Sequence, residues 1–251
     1  MTHVATWVLL RGLTRESRHW GSFVDVFRAG IGDARVITLD LPGNGELHTL
    51  RSPTTVAAMA DYCRAELARR GLVPPWNLVA MSLGAMVSVA WAAQYPREVA
   101  RCVLINTSMR PFNPFHQRLL PGNYLALLRL AFMGTSAERQ EATILRLTSN
   151  AADEHADVLP AWVRYRQEFP VSRCNTLRQL IAAARFRAPP VKPAAELLIL
   201  TSSRDALVDT RCSQALARAW CVPIAEHPQA GHDLPLDDGP WVAARIQNCL
   251  T

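Results

Sequence analysis

No stretch of this 251-residue chain stays apolar for the roughly 18–20 residues that a bilayer-spanning helix requires. That excludes a helical membrane protein. The opening residues, MTHVATWVLLRG, lack a basic region and hold only a short apolar run, so they read as a strand and not as a signal peptide. A cytoplasmic location is the expectation. Long runs of one charge sign, internal repeats and low-complexity tracts are also missing. With no basic run and no nucleic-acid motif, DNA or RNA binding is not expected. The six cysteines (Cys63, Cys102, Cys174, Cys212, Cys221, Cys249) form no C-x-x-C pair and have no histidines at ligand spacing, which argues against a zinc site. No metal is expected. A chain of this length can bury a sizeable core and needs no disulfide staples.

Apolar residues make up 49% of the chain and charged residues 19%, a globular balance. The net charge of +6 is concentrated: residues 109–187 hold 11 arginines against 6 acids, and the remainder is nearly neutral. An arginine-rich face of this kind is ordinarily a solvated one. Its sharper reading is guidance of an acidic partner or an anionic substrate, because local positive potential raises encounter rates for anions.

Short β-branched runs, TWVLL (Thr6–Leu10) and ARVITLD (Ala34–Asp40), are each followed by turn residues and read as strands. Between them HWGSFVDVFRAG is a helix ending at Gly30. SPTTVAAMADYCRAELARRG begins with a Ser-Pro start, ends at Gly71, and places Val56, Met59, Ala60, Cys63 and Leu67 on one helical face. WNLVAM is a strand leading into a helix from Leu83 to about Tyr95, and RCVLINTS is another buried strand. From Met109 to Arg187 strand signals vanish and arginine-studded helices take over, including an apolar stretch at Asn123–Met133 that reads as packing. ELLILTSS resumes the strand pattern. A helix at Thr210–Trp220, a strand at VPIAEHP and a last helix from about Pro235 follow. The pattern predicts an α/β fold: a mostly parallel sheet flanked by helices, with a helical cap inserted at 109–187 between core segments 1–108 and 188–251. Ligands in such sheets gather at the carboxyl ends of the strands, so the insertion would roof the site.

Ser82 stands at the seam between the strand WNLVAM and the helix that starts at Leu83. A serine on a sharp strand-to-helix turn has its hydroxyl exposed and the helix N-terminus aimed at it. Such a turn crowds the positions two before and two after, and Ala80 and Gly84 are both small. Alone the pentapeptide is weak evidence; in this context it is fairly strong. A serine nucleophile needs a base, and the base needs an acid to orient it. His232, in QAGHD after the final strand, is the best-placed histidine; His227 lies within that strand and His19 fits a helix start. Asp205 stands just past the strand ELLILTS, whereas Asp209 suits a helix cap. The order Ser82, Asp205, His232 results. Trp20, Trp91 and Trp162 read as packing residues, with Trp20 and Arg11 also candidates for substrate contact.

At these positions the sequence resembles the α/β-hydrolase superfamily along nearly its whole length. The resemblance rests on LLRGLTRESRHW, LDLPGNG, LVAMSLGAM, AAQYPREVARCVLINTS, LLILTSSRDALV and QAGHDLP. It implies an oxyanion hole built from the backbone N–H groups of Leu13 and Leu83, and no cofactor. It also implies that the family's first hairpin is absent here, since the chain starts directly at the oxyanion-turn strand. Two departures stand out: members usually carry His-Gly at the oxyanion turn, where this chain has Arg11-Gly12, and the first small residue of the elbow is Ala80 instead of glycine.

The expected activity is hydrolysis of carboxylic esters, small-molecule esters first among them, through an acyl-enzyme. A narrower version is similar to the pimeloyl carrier-protein methyl ester esterases, whose partner is an acidic carrier protein. Three alternatives stay open: a lyase resembling the menaquinone-pathway synthase, a C–C bond hydrolase acting on an anionic substrate, and a non-catalytic relative that binds a small molecule or a protein in the same pocket.

Overall fold

A computed structural model of the chain describes residues 4–132 and 136–249. Six strands, β1 (Thr6–Leu10), β2 (Arg35–Leu39), β3 (Trp76–Met81), β4 (Val99–Ile105), β5 (Glu196–Ser202) and β6 (Ile224–His227), form one sheet in the order β2-β1-β3-β4-β5-β6, and every pairing is parallel. The helices are α1 (Phe23–Gly30), α2 (Val56–Arg69), α3 (Leu83–Gln94), α4 (Phe115–Arg118), α5 (Tyr124–Phe132), α6 (Ala137–Thr148), α7 (Leu159–Glu168), α8 (Arg173–Arg185), α9 (Arg211–Trp220), α10 (Leu234–Asp237) and α11 (Gly239–Asn248). No helix among the described residues is long and apolar enough to cross a membrane.

The two-residue period of a strand sorts the core into two layers. Val8 and Leu10 of β1, Leu78 and Ala80 of β3, and Cys102 and Leu104 of β4 pack with α2, α3 and α9. The alternate residues Trp7, Leu9, Val79, Met81, Val103 and Ile105 pack on the other face with Phe23 and Phe27 of α1 and Val242 and Ile246 of α11. Both faces of β1 and β3 are therefore buried, which is why they read as apolar runs broken only by Thr6 and Asn77. The α2 face predicted from periodicity is the buried one: Val56, Met59, Ala60, Cys63 and Leu67.

Several boundaries differ from the sequence reading. The first helical segment splits, because Gly21 at φ 52° ends a short 3-10 turn (Ser17–Trp20) before α1 begins. The start of α2 is capped by Thr55, whose hydroxyl accepts from the Ala58 N–H, and not by the Ser-Pro pair. β4 begins two residues earlier than expected, paired through Val99 with Trp76. The last helix divides at Asp238, whose carboxylate caps α11 by accepting from the Trp241 N–H. Met133, at the end of the predicted Asn123–Met133 stretch, lies outside the described residues. Between β4 and β5 the regular elements among the described residues are helices, joined by turns and loops, apart from an isolated bridge between Arg110 and Arg187.

Candidate active site

Register aligns the carboxyl ends of the central strands: Leu10 lies beside Ala80, Met81 beside Ile105, and Ser202 beside His227. The residues just beyond these ends are Arg11, Ser82, Asn106, Asp205 and His232, so the sheet gathers them at one rim.

Ser82 adopts φ 53° and ψ −115°, a conformation that a side chain with a Cβ rarely holds. The turn is fixed from both directions. Its N–H donates to the Ile105 carbonyl at 2.9 Å, and its own carbonyl accepts from the Thr107 hydroxyl at 3.1 Å. Space is the reason for the small neighbours. A Cβ on Gly84 would sit 2.4 Å from the Leu10 carbonyl oxygen and 2.7 Å from that of Arg11. Ala80 is fully buried between Leu10 and Leu104, so its one methyl is accommodated. Ser82 itself is half-buried between buried neighbours, and its hydroxyl has no hydrogen-bond partner among the described residues.

Asp205 and His232 are directly bonded. The His232 Nδ1 lies 2.7 Å from Asp205 Oδ2, with both side chains buried. The other carboxylate oxygen accepts the N–H groups of Leu207 and Val208 at 2.8 and 3.0 Å, which fixes the carboxylate plane. A carboxylate can only accept, so Nδ1 carries the proton and Nε2 is left as a free lone pair. Burial disfavours the imidazolium, but the Asp205 charge and hydrogen bond, reinforced by Asp233, outweigh it and raise the His232 pKa above its ordinary value. Asp209, the competing carboxylate, is turned to the backbone and guanidinium of Arg211. His227 accepts from the N–H groups of Gln229 and Ala230 and faces Asp238, a structural role.

Ser82 and His232 do not hydrogen-bond to each other, yet three consecutive residues hold both. Ile105 and Thr107 grip Ser82, while the Asn106 amide between them donates to the carbonyls of Gly231 and His232 at 3.2 and 2.8 Å. Asn106 also accepts from the Ser202 N–H at 2.8 Å and is itself at φ 45°. It therefore ties the serine turn, the end of β5 and the histidine loop into one unit. Sequence reasoning passed over it; the only signal was a polar residue ending the apolar run of RCVLINTS.

Gly12 lies against the serine, where an added Cβ would come within 3.1 Å of Ser82 Cβ and 3.6 Å of Oγ. Neither the Leu13 N–H nor the Leu83 N–H meets an acceptor among the described residues, so both remain available donors. The flanks of this turn are anchored. On one side Arg11 is buried and pairs through both guanidinium prongs with Asp233, at 3.0 and 2.5 Å. On the other, Thr14 donates its N–H to Gln179 of α8 at 2.9 Å, and the same amide donates to Asn44 and Ser52. Burial alone would push the Asp233 carboxyl up; the Arg11 guanidinium overrides this and holds it below the usual carboxylate value. Trp20, the other predicted contact residue, is buried among Phe23 and its neighbours, with the Arg11 guanidinium 4.9 Å above its ring.

The helical segment between β4 and β5 also meets the histidine loop. A Cβ on Gly231 would lie 2.7 Å from the Thr148 carbonyl oxygen at the end of α6, and the Asp233 N–H donates to that same oxygen. Asn150 donates to the carbonyls of Arg204 and Gln229, joining the acid and histidine loops. Asp237 accepts from Gly231, Ser149 and Asn150.

Comparisons with known proteins agree with this architecture. An esterase from Thermogutta terrifontis is 22% identical with a TM-score of 0.76, over 98% of this chain and 89% of that one. The enol-lactonase from Burkholderia xenovorans LB400 is 16% identical with a TM-score of 0.78, over 99% and 92%. At these identities the likeness speaks for the fold alone. The biotin biosynthesis bifunctional protein BioHC of Teredinibacter turnerae is 31% identical over 104 residues, which are 40% of this chain and only 17% of that protein. The sequence model of the Alpha/beta hydrolase family matches residues 7–245. Spanning nearly the whole chain, that match shows that the protein belongs to the alpha/beta hydrolase family.

Proposed function

We propose that this chain hydrolyses carboxylic esters through an acyl-enzyme formed on Ser82. The observation that carries the reading is the buried 2.7 Å bond from His232 to Asp205, at the same sheet rim as a serine held at φ 53° with a free hydroxyl. In this reaction His232 Nε2 takes the Ser82 proton as Oγ attacks the ester carbonyl. The N–H groups of Leu13 and Leu83 receive the developing oxyanion, and each such donor contributes about 3–4 kcal/mol to lowering the barrier. His232 then protonates the leaving alcohol and activates the water that releases the acid. Asp205 holds the imidazole in the required tautomer throughout. The helices of residues 109–187 act as a cap over this rim. Ser82→Ala is expected to abolish turnover of p-nitrophenyl esters while leaving the thermal unfolding transition in place; undiminished turnover would overturn the mechanism.

A narrower reading is an ester presented by an acidic carrier protein. Eight of the eleven arginines in residues 109–187 are exposed, which supports electrostatic guidance of such a partner. Reversing the charge of several of them is expected to lower the rate on a carrier-bound ester and to leave the rate on a small neutral ester in place.

A further inference from the structure

Ten buried side-chain atoms lack a hydrogen-bond partner among the described residues, and four of them fall in the single stretch Arg11–Trp20: Arg11 Nε, Arg15 Nη2, His19 Nε2 and Trp20 Nε1. Unpaired polar atoms in a dry interior are costly, so four together need an explanation. Three of the four can only donate, being arginine and indole nitrogens. The His19 Nδ1 lies 3.1 Å from the Glu16 N and 3.3 Å from the Glu16 carbonyl oxygen; in the tautomer that accepts from the first, Nε2 is a fourth donor. Burial, together with the charges of Arg15 and Arg11, keeps that ring neutral by lowering its pKa well below the ordinary value.

The side chains are linked. The Arg15 guanidinium lies 4.1 Å from the Trp162 ring centre on α7, and His19 packs edge-on against the same ring at 5.5 Å. Arg11 covers Trp20. Arg15 donates to Glu141 at 2.6 Å, and Arg166 donates to the other oxygen of the same carboxylate, so two guanidinium groups share one negative charge. The Arg15 N–H in turn bonds back to the Gly12 carbonyl, which places the group beside the oxyanion turn.

Donors without acceptors, two of them on guanidinium groups, fit an anion. We propose that the segment Arg11–Trp20, roofed by α6 and α7, receives a carboxylate carried on the acyl chain of the substrate, with Arg15 as its principal contact. This deepens the ester-hydrolase reading and rests on it: the preferred substrates become half-esters of dicarboxylic acids. The test compares p-nitrophenyl butyrate with mono-p-nitrophenyl glutarate, which adds a terminal carboxylate. The charged ester is expected to be favoured at least tenfold in kcat/KM, mostly through KM. Arg15→Met, which leaves Glu141 paired with Arg166, is expected to reduce that ratio at least tenfold, and Arg15→Met/Glu141→Gln is expected to do the same. Calorimetry of glutarate binding to Ser82→Ala supplies an arm independent of turnover: binding is expected, and its loss in Ser82→Ala/Arg15→Met. Equal preference in the parent with equal loss on both esters, or no glutarate binding to Ser82→Ala, would overturn the site. Failure to hydrolyse any ester, with glutarate still bound through Arg15, would instead overturn the ester reading and keep the anion site.

Discussion

The pair Arg11–Asp233 offers a demanding test of the electrostatics around the serine. Its side chains are only 2% and 3% exposed and meet through both prongs. Removing one member leaves the other charge buried and unpaired, which costs about 3–5 kcal/mol. For a chain of this length 1 kcal/mol moves the melting temperature by about 2–4 °C. Arg11→Met or Asp233→Asn is therefore expected to lower Tm by roughly 6–20 °C. The double variant removes both charges while keeping most of the volume, and replacing a buried ion pair by uncharged groups is often close to neutral. Its loss is expected to fall below the sum of the single losses by at least about 1 kcal/mol. Urea unfolding at pH 7 measures all four proteins. Additive losses would refute the pairing.

The same pair predicts a pH signature. The folded Asp233 carboxyl is held below its ordinary value. A depressed carboxyl contributes its full stability above the unfolded pKa of about 3.9, and loses it as pH falls through the lower folded value. The stability gap between the parent and Asp233→Asn should thus be full near neutrality and close below about pH 4. A gap that persists unchanged in acid would mean the loss comes from packing and not from charge.

Two more outcomes follow from the geometry. Because the general base must be neutral and His232 is raised above 6.5, kcat/KM on a p-nitrophenyl ester should climb with pH through a midpoint above that value. Asp233→Asn should move the midpoint down and Arg11→Met should move it up, since the first removes a charge that favours the imidazolium and the second one that opposes it; a midpoint unmoved in both would separate His232 from its neighbours. Gly84→Ala forces a methyl to within 2.4 Å of the Leu10 carbonyl oxygen and is expected to cost about 1–3 kcal/mol or more, with loss of ester turnover. Ala80→Gly, at a site that already tolerates the methyl, should shift stability by less, and thermal melts rank the two.

The strands and the serine turn were legible because their causes are local. A strand buried on both faces is a largely apolar run in the sequence, as WNLVAM is apart from Asn77, and the glycine two residues after Ser82 answers to backbone oxygens that a Cβ there would meet within 3 Å. His232 and Asp205 could be placed by asking which polar residues follow a strand end. The residues that hold them could not. Asn106 reaches His232 across 126 positions, and Gln179 reaches Thr14 across 165. Nothing in a single sequence sets the direction of an asparagine or glutamine side chain at such separations. Arg11 was visible as a departure from the family's His-Gly, but its target 222 positions away was not.

That departure has a partner suited to it in Asp233. An imidazole at position 11 could not engage both oxygens of a carboxylate, whereas a guanidinium does so with its planar fork. Asp233 immediately follows His232, so the pair fastens the loop before Leu13 to the loop that carries the proposed base. Gln179 holds the same turn from its other flank through Thr14. Leu13 lies between the two anchors with its N–H unspent. In the proposed reaction that N–H receives part of the developing charge, and a donor lowers the barrier only if it is already in position when the charge appears. An ion pair on one flank and an amide on the other supply that rigidity while directing both Arg11 prongs to Asp233 and none to the oxyanion. The arginine thus acts by holding the turn still, and its removal should lower kcat more than it raises KM.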